Sequence, residues 1–311
     1  MRILLWHVHG SWTTGFVHGG HDYVVPVLPD RGPDGVGRAR TYAWPDEVRE
    51  LPPEALADEP FDLVLLQRPH ELELATEWLG GRRPGRDVPA VYVEHNAPQG
   101  RIAELVHPAR DWGVPIVHVT HFNRLMWDCG TAPTHVIEHG IVDPGHRYTG
   151  ELARVAAVAN EARRRGRVTG TDLILDLRER LPLDLFGIDA ESLGGVGDLP
   201  HADLHREMAR RRVYVHLNRW TSLGLSLLEA MQLGMPVVAL STTEAPEAIP
   251  ADVATVTNRP DVIEATVREL LADPDLARER GARARAHALE RFGLDRFLVD
   301  WDALLADLVP A

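Results

Sequence analysis

Short β-branched runs, each followed by turn residues and a helical stretch, recur along the whole chain. That alternation predicts parallel α/β units and excludes a sandwich or a helical bundle, because parallel neighbours need a crossover, usually a helix, between them. In the first half the strand candidates are residues 2–8, 22–28, 62–67, 90–94, 115–119 and 134–138. In the second half they are 154–159, 183–187, 213–217, 236–240 and 253–257. The two series are separated by "IVDPGHRYTGEL" (141–152), where Pro144, Gly145 and Gly150 interrupt any periodic pattern. The expected domains are therefore residues 1–146 and 147–292, with a C-terminal segment, 293–311, whose helix (294–308) can pack on either one. Further helices are expected at 201–211, 260–272 and 275–291, and residues 29–60, rich in Pro, Gly and charge, read as a long exposed connection.

The length of 311 residues agrees with about two domains. Two doubly wound units place the carboxyl ends of their strands around a central cleft, where open α/β sheets bind ligands. No run reaches the eighteen or so apolar residues of a membrane span, and the first residues lack a signal peptide's apolar region, so the expectation is a cytoplasmic protein without integral membrane association. The single cysteine, Cys129, allows no intrachain disulfide. A net charge of -13 argues against nucleic acid as a partner. Every basic residue is Arg, so a phosphate contact has to come from Arg, backbone amides or hydroxyls. The acidity and the absence of a basic amphipathic helix favour a small molecule or a glycan over a lipid as partner.

The most informative stretch is "RWTSLGLSLLEAMQLGMPVVALS" (219–241). A helix starting near Leu225 carries Ser226, Glu229 and Gln232 at intervals of three, a narrow polar seam on an apolar cylinder. One reading makes the seam a sliver of solvent-facing surface. The other uses the helix entrance: Thr221, Ser222 and Gly224 precede it, and its unpaired N–H groups favour an anion such as a diphosphate. Glu229, one turn further in, could then accept two hydrogen bonds from a ribose diol.

"TSLGLSLLEAMQLGMPVVAL" also resembles the donor-binding signature of the retaining GT-B glycosyltransferases of the family-four type, glycosyl transferases group 1. In that signature a first acid, a Gly-rich turn and a second acid lead into "EAM", two residues, Gly, one residue and "PVV". Glu229 sits at the second acid and Thr221 at the first. The resemblance implies that Glu229 contacts the donor ribose and that Gly224 and Leu225 make close backbone contacts. The first acid contacts the transferred sugar in the family, and Thr221 supplies a hydroxyl there without charge.

Other segments extend the resemblance. The family opens its second domain with a strand ending in Gly-Arg, followed by Lys-Gly and a helix with an early Asp. "VAAVANEARRRGRVTGTDLILDL" (155–177) has Asn160 at the strand end and Thr169 in place of Lys, which leaves Arg164, Arg165 and Arg167 as available cations, unless the run is simply a solvated loop. Gly187 and the loop after it resemble the segment around the nucleotide base. Trp220 fits a sugar or base platform and equally a core residue. In the first half, His95 follows the strand ending at Glu94, where the family often has a histidine lining the acceptor side; its expected catalytic part is to orient sugar or acceptor, against a simpler reading as a buried or capping histidine. His9, Gly10, Ser11 and Trp12 are expected to form a loop facing the donor.

No metal is expected: His118 and His121 stand three apart at a strand end without a zincin-spaced carboxylate, and the GT-B type does not need one. "GVGRAR" (35–40) is no Rossmann fingerprint, and neither a P-loop nor a G-x-S-x-G elbow occurs. The resemblance thus implies a GT-B, α/β fold that moves a sugar from a UDP-, GDP- or dTDP-linked donor, its co-substrate, to an acceptor, without a cofactor and with retention. The alternatives are a nucleotide-sugar 2-epimerase of the same architecture and a non-catalytic glycosyltransferase-like binding protein, the latter motivated by Thr221.

Overall fold

The β-branched runs pair as parallel strands in a computed structural model of the protein, which describes residues 1–309. The chain divides into two units, Met1–Val142 with the helix that begins at Leu294, and Asp143–Gly293.

The first unit starts with β1 (Arg2–Leu5), α1 (Gly10–Phe16), β2 (Asp22–Pro26), β3 (Arg49–Leu51) and α2 (Pro53–Leu56). It continues through β4 (Leu63–Leu66), α3 (Glu71–Trp78), β5 (Ala90–Glu94), β6 (Ile116–His118), α4 (His121–Met126) and β7 (Thr134–Val136). The seven strands lie in the order β3-β2-β1-β4-β5-β6-β7, all neighbours parallel. Central strands such as β4 and β5 are buried along their whole length, as a sheet covered on both faces requires.

The second unit comprises β8 (Leu152–Val158), α5 (Ala162–Arg165), α6 (Thr171–Arg180), β9 (Leu183–Phe186), α7 (His201–Arg210) and β10 (Arg211–His216). After these come α8 (Leu225–Leu233), β11 (Val237–Ala239), α9 (Ala245–Ala248), β12 (Thr255–Val256), α10 (Pro260–Ala272) and α11 (Pro274–Phe292). Its sheet is parallel in the order β12-β11-β10-β8-β9. The last helix, α12 (Leu294–Leu308), returns to the first unit, where Trp301 meets Trp12 and Phe16 edge-on at ring-centroid distances of 5.9 and 5.1 Å. Among the described residues no helix is long and apolar enough to cross a membrane.

Residues 29–60 are not the exposed connection expected from composition. Arg49–Leu51 adds a parallel edge strand to β2, and the loop before it is held by internal polar contacts. Arg31 pairs with Glu50 at 2.9 Å, Arg38 N–H donates to the same carboxylate at 2.7 Å, and buried Trp44 donates through Nε1 to Thr14 Oγ1 at 2.8 Å. The strand lacks the β-branched run that marks the others, which is why "REL" passes unnoticed among Pro and Gly.

Candidate functional site

In the second unit the chain winds from β8 to β9 on one side and returns to β10 on the other, so the order reverses between β8 and β10. The carboxyl ends of those two strands flank the crevice in which an open α/β sheet places a ligand. Their two loops are stitched together. Arg219 and Trp220 donate their backbone N–H groups to Val168 O at 2.9 and 3.2 Å. Gly170, in the left-handed region at φ +69°, lies so close to Leu217 O that no side chain fits there.

Around the end of β8, Asn160 is a backbone clamp: its Oδ1 accepts from Ile188 N–H at 3.0 Å. Gly187, at φ +124°, lies against the same strand end, where a Cβ would stand 2.7 Å from Ala159 O and 2.8 Å from Asn160 Oδ1. The arginine run separates into distinct roles. Arg163 donates to Ser192, Arg164 to Glu161 at 2.8 Å and Arg167 to Asp172 at 2.9 Å, so Arg164 and Arg167 turn to surface carboxylates. Among the described residues the half-buried Arg165 guanidinium makes no hydrogen bond or ion pair. Burial and the neighbouring Arg164 lower its pKa, a strain that an arriving anion would relieve. Thr169 is buried, its hydroxyl 3.0 Å from that of Thr171.

Beyond β10, Trp220 and Thr221 are half-buried, and Ser222 is buried with its carbonyl accepting from Thr243 Oγ1 at 3.1 Å. Gly224 precedes α8 in an extended conformation, so no positive φ demands a glycine there. The demand comes from packing: a Cβ would run into the ring of His216, at the end of β10. Leu225 opens the helix, whose entrance carries no side-chain cap. The polar seam behind it is internal, and the solvent-facing reading is overturned. Ser226 Oγ accepts from Tyr214 OH at 3.0 Å, Gln232 is fully buried with Nε2 donating to Phe292 O at 3.3 Å, and Glu229 is 5% exposed.

Glu229 has neighbours that the motif did not announce. His201 and His205, one turn apart on α7, bring Nε2 to 3.1 Å of Glu229 Oε1 and 3.4 Å of Oε2. Burial alone would raise the carboxyl pKa, but the hydrogen bond from His201 and the His205 imidazole beside it outweigh it and hold the group well below the usual carboxylate range. Glu229 is therefore an ionised acid inside the protein. The signal in the sequence is the H-x3-H spacing of "HADLH", two histidines on one helix face, whereas the expected histidine pair was His118 and His121. Those two do not combine: buried His118 faces Cys129 Sγ at 3.5 Å and His121 is exposed.

In the first unit the strand order reverses between β1 and β4. Gln67, just past β4, donates through Nε2 to Trp6 O at 2.7 Å and holds Oε1 at 2.9 Å from His95 Nε2. A backbone carbonyl only accepts, so the Gln67 amide orientation is fixed and His95 must carry its proton on Nε2, leaving Nδ1 as the acceptor nitrogen. Burial, with His9 and His139 beside it, keeps this imidazole neutral by lowering its pKa well below the ordinary value. Glu94 is fully employed: Oε1 accepts from Asn96 N–H at 2.7 Å and Oε2 from His107 at 3.0 Å.

The expected donor-facing loop at residues 9–12 is instead the start of α1, with His9 at its N-cap. The His9 ring lies 4.2 Å from that of His95. A Cβ on Gly10 would meet the Tyr42 ring at 2.5 Å, and Ser11 Oγ contacts Tyr42 OH at 3.4 Å. Trp12 is a correction to the ligand-facing expectation. It is fully buried, stacks on Phe16 at 5.2 Å and presents its edge to His95 at 4.8 Å, so it supports the histidine from the core.

Residues 192–287, which hold α7, β10, α8 and β11, match the family model "Glycosyl transferases group 1". No curated protein sequence matches the chain. Among solved structures, sucrose-phosphate synthase from Thermosynechococcus elongatus superposes with a TM-score of 0.71 at 13% identity, covering 99% of each chain. HepE of Anabaena in complex with UDP superposes at 0.73 with 15% identity, covering 99% of this chain and 100% of that one. A glycosyltransferase from Rickettsia africae gives 0.67 at 12% identity, with 99% and 98% covered. The fold is α/β, of the GT-B type, built from two parallel-sheet Rossmann-like units.

Proposed function

We propose that the protein transfers a glycosyl group from a nucleoside-diphosphate sugar to an acceptor, with the donor nucleotide held by the second unit. The observation that carries this reading is Glu229, an ionised and almost fully buried carboxylate one turn inside the helix that follows the β10 loop, within the segment matched to group 1 glycosyltransferases. Two acceptor oxygens at that place suit a ribose diol. The entrance of α8 and the unengaged Arg165 suit a diphosphate and would stabilise the charge that develops on it as the glycosyl bond breaks. HepE has been solved with UDP and with UDP-glucose, which makes uridine nucleotides the first donors to test. Transfer with retention and without a metal in the chemical step belongs to the same proposal. His95, held neutral, positions sugar or acceptor and is not a nucleophile.

A second reading, nucleotide-sugar binding without transfer, draws on Thr221, which cannot offer charge to the sugar. The 2-epimerase has no comparable support, because Glu94 is tied to Asn96 and His107 and does not stand ready beside His95. Calorimetry with UDP-, GDP- and dTDP-linked sugars, followed by mass spectrometry of the products with and without acceptors, separates the three. Released nucleotide with a glycosylated product supports transfer, and an epimerised sugar or binding without turnover supports one of the others. If no nucleoside diphosphate binds, the donor-site reading fails.

A further inference from the structure

We infer that His201, His205 and Glu229 form a binding site for a divalent transition metal of the Zn²⁺ class. One ligand atom from each of the three lies within 4.8 Å of the other two. The closest pairs, His201 Nε2 to Oε1 at 3.1 Å and His205 Nε2 to Oε2 at 3.4 Å, resemble the edges of a tetrahedron. A tetrahedral metal with ligands at about 2.1 Å separates its donor atoms by about 3.4 Å.

Two elements build the site. The i, i+4 spacing stacks both imidazoles on one face of α7, their ring centroids 4.0 Å apart, and α8 packs that face with its buried acid. Two neutral imidazoles and one carboxylate make a three-ligand set that leaves a fourth position for water, and these donors suit Zn²⁺ better than Mg²⁺ or Ca²⁺, which prefer oxygen. A second observation points the same way: His205 is 3% exposed, yet its Nε2, aimed at the carboxylate, makes no hydrogen bond of acceptable geometry. A buried imidazole nitrogen of that kind calls for a partner, and an ion is one.

The consequence rests on the donor-site reading above. A metal on Glu229 takes the carboxylate away from a ribose diol, so metal and nucleotide exclude one another and the site is an off-state of the donor pocket. In the proposed function the chemical step does not use this metal.

The test begins with the full chain stripped by a chelator and titrated with Co²⁺ alone, read by visible absorption, with Zn²⁺ stoichiometry read by elemental analysis. One metal per chain with the intense bands of tetrahedral Co²⁺ is expected. His205→Asn should abolish them, and His201→Gln, on the partly exposed first turn of α7, should weaken affinity by more than the roughly tenfold that even an outer-shell change costs. Substoichiometric binding, or wild-type affinity in a folded His201→Gln variant, overturns the site. Metal-free protein then receives UDP, which tests the donor reading independently of the metal. Co²⁺-loaded protein freed of excess metal should lose its bands on adding UDP but keep them with inorganic pyrophosphate, which chelates without a ribose. A ternary complex that retains the bands overturns the exclusion.

Discussion

At the residue scale two side chains of opposite charge, Glu229 and Arg165, face the proposed donor chemistry. Glu229 sits inside the protein without its proton because His201 donates to it and the His205 imidazole stands beside it, so its folded pKa lies below the ordinary 4.5. A carboxyl with a depressed folded pKa stabilises the fold fully above its unfolded value and loses that contribution as pH falls towards the folded one. Glu229→Gln is thus expected to flatten the dependence of Tm on pH below 4.5, with the wild type losing stability faster as acid is added; identical slopes would show that the carboxyl titrates in the fold as it does in the unfolded chain, with no depressed pKa. Arg165 is the other residue. Its three neighbours already hold Ser192, Glu161 and Asp172, so Arg165→Gln should weaken UDP binding by about tenfold or more, the worth of one charge-assisted hydrogen bond or better, whereas Arg164→Gln and Arg167→Gln should change it by less than about threefold. Equal losses in all three would mean that the run acts as a diffuse patch.

At the element scale, the entrance to α8 is shaped by the end of β10. The His216 imidazole occupies the place of a Gly224 side chain, and its burial lowers its pKa to about 4. Gly224→Ala is expected to cost about 1–3 kcal/mol through overpacking, and removing the ring in a Gly224→Ala, His216→Ala double variant should recover part of it, a non-additivity readable from thermal unfolding. Additive losses would place the clash elsewhere. The sequence marked most elements because their signals are local: β5 at 90–94, α10 at 260–272 and α12 at 294–308 coincide with their expected limits. It hid whatever depends on a partner distant in the chain. β3 exists through β2, the Glu229 seam is polar because Tyr214, His201, His205 and Phe292 receive it, and Trp12 is core because α12 returns to cover it. Spacing located Glu229, Gly224 and the arginine run; only the fold distinguished Arg165 from its neighbours.

At the scale of the whole molecule, buried histidines set the acid limit of the fold. His118 and His139 are pushed down to about 3 by burial, and both ring nitrogens of His139 lack a hydrogen-bond partner. An unfolded histidine binds its proton near 6.5, so between that pH and the folded value the unfolded chain carries the extra proton and stability falls as pH drops. Each such group contributes a slope of up to about 1.4 kcal/mol per pH unit. Denaturant midpoints should therefore begin to fall below pH 6.5, above the carboxylate range, and a folded His139→Gln variant should show a shallower fall; a flat profile down to pH 5 would contradict it.

In the proposed function Glu229 serves a nucleotide from inside the second unit. Titrating metal-free wild type and Glu229→Gln with UDP by calorimetry, both shown to be folded, tests it most directly. One UDP per chain is expected for the wild type and an affinity lower by about tenfold or more for the variant, as the loss of a charged acceptor to a diol requires. No binding by the wild type, or equal affinity in both, would contradict it.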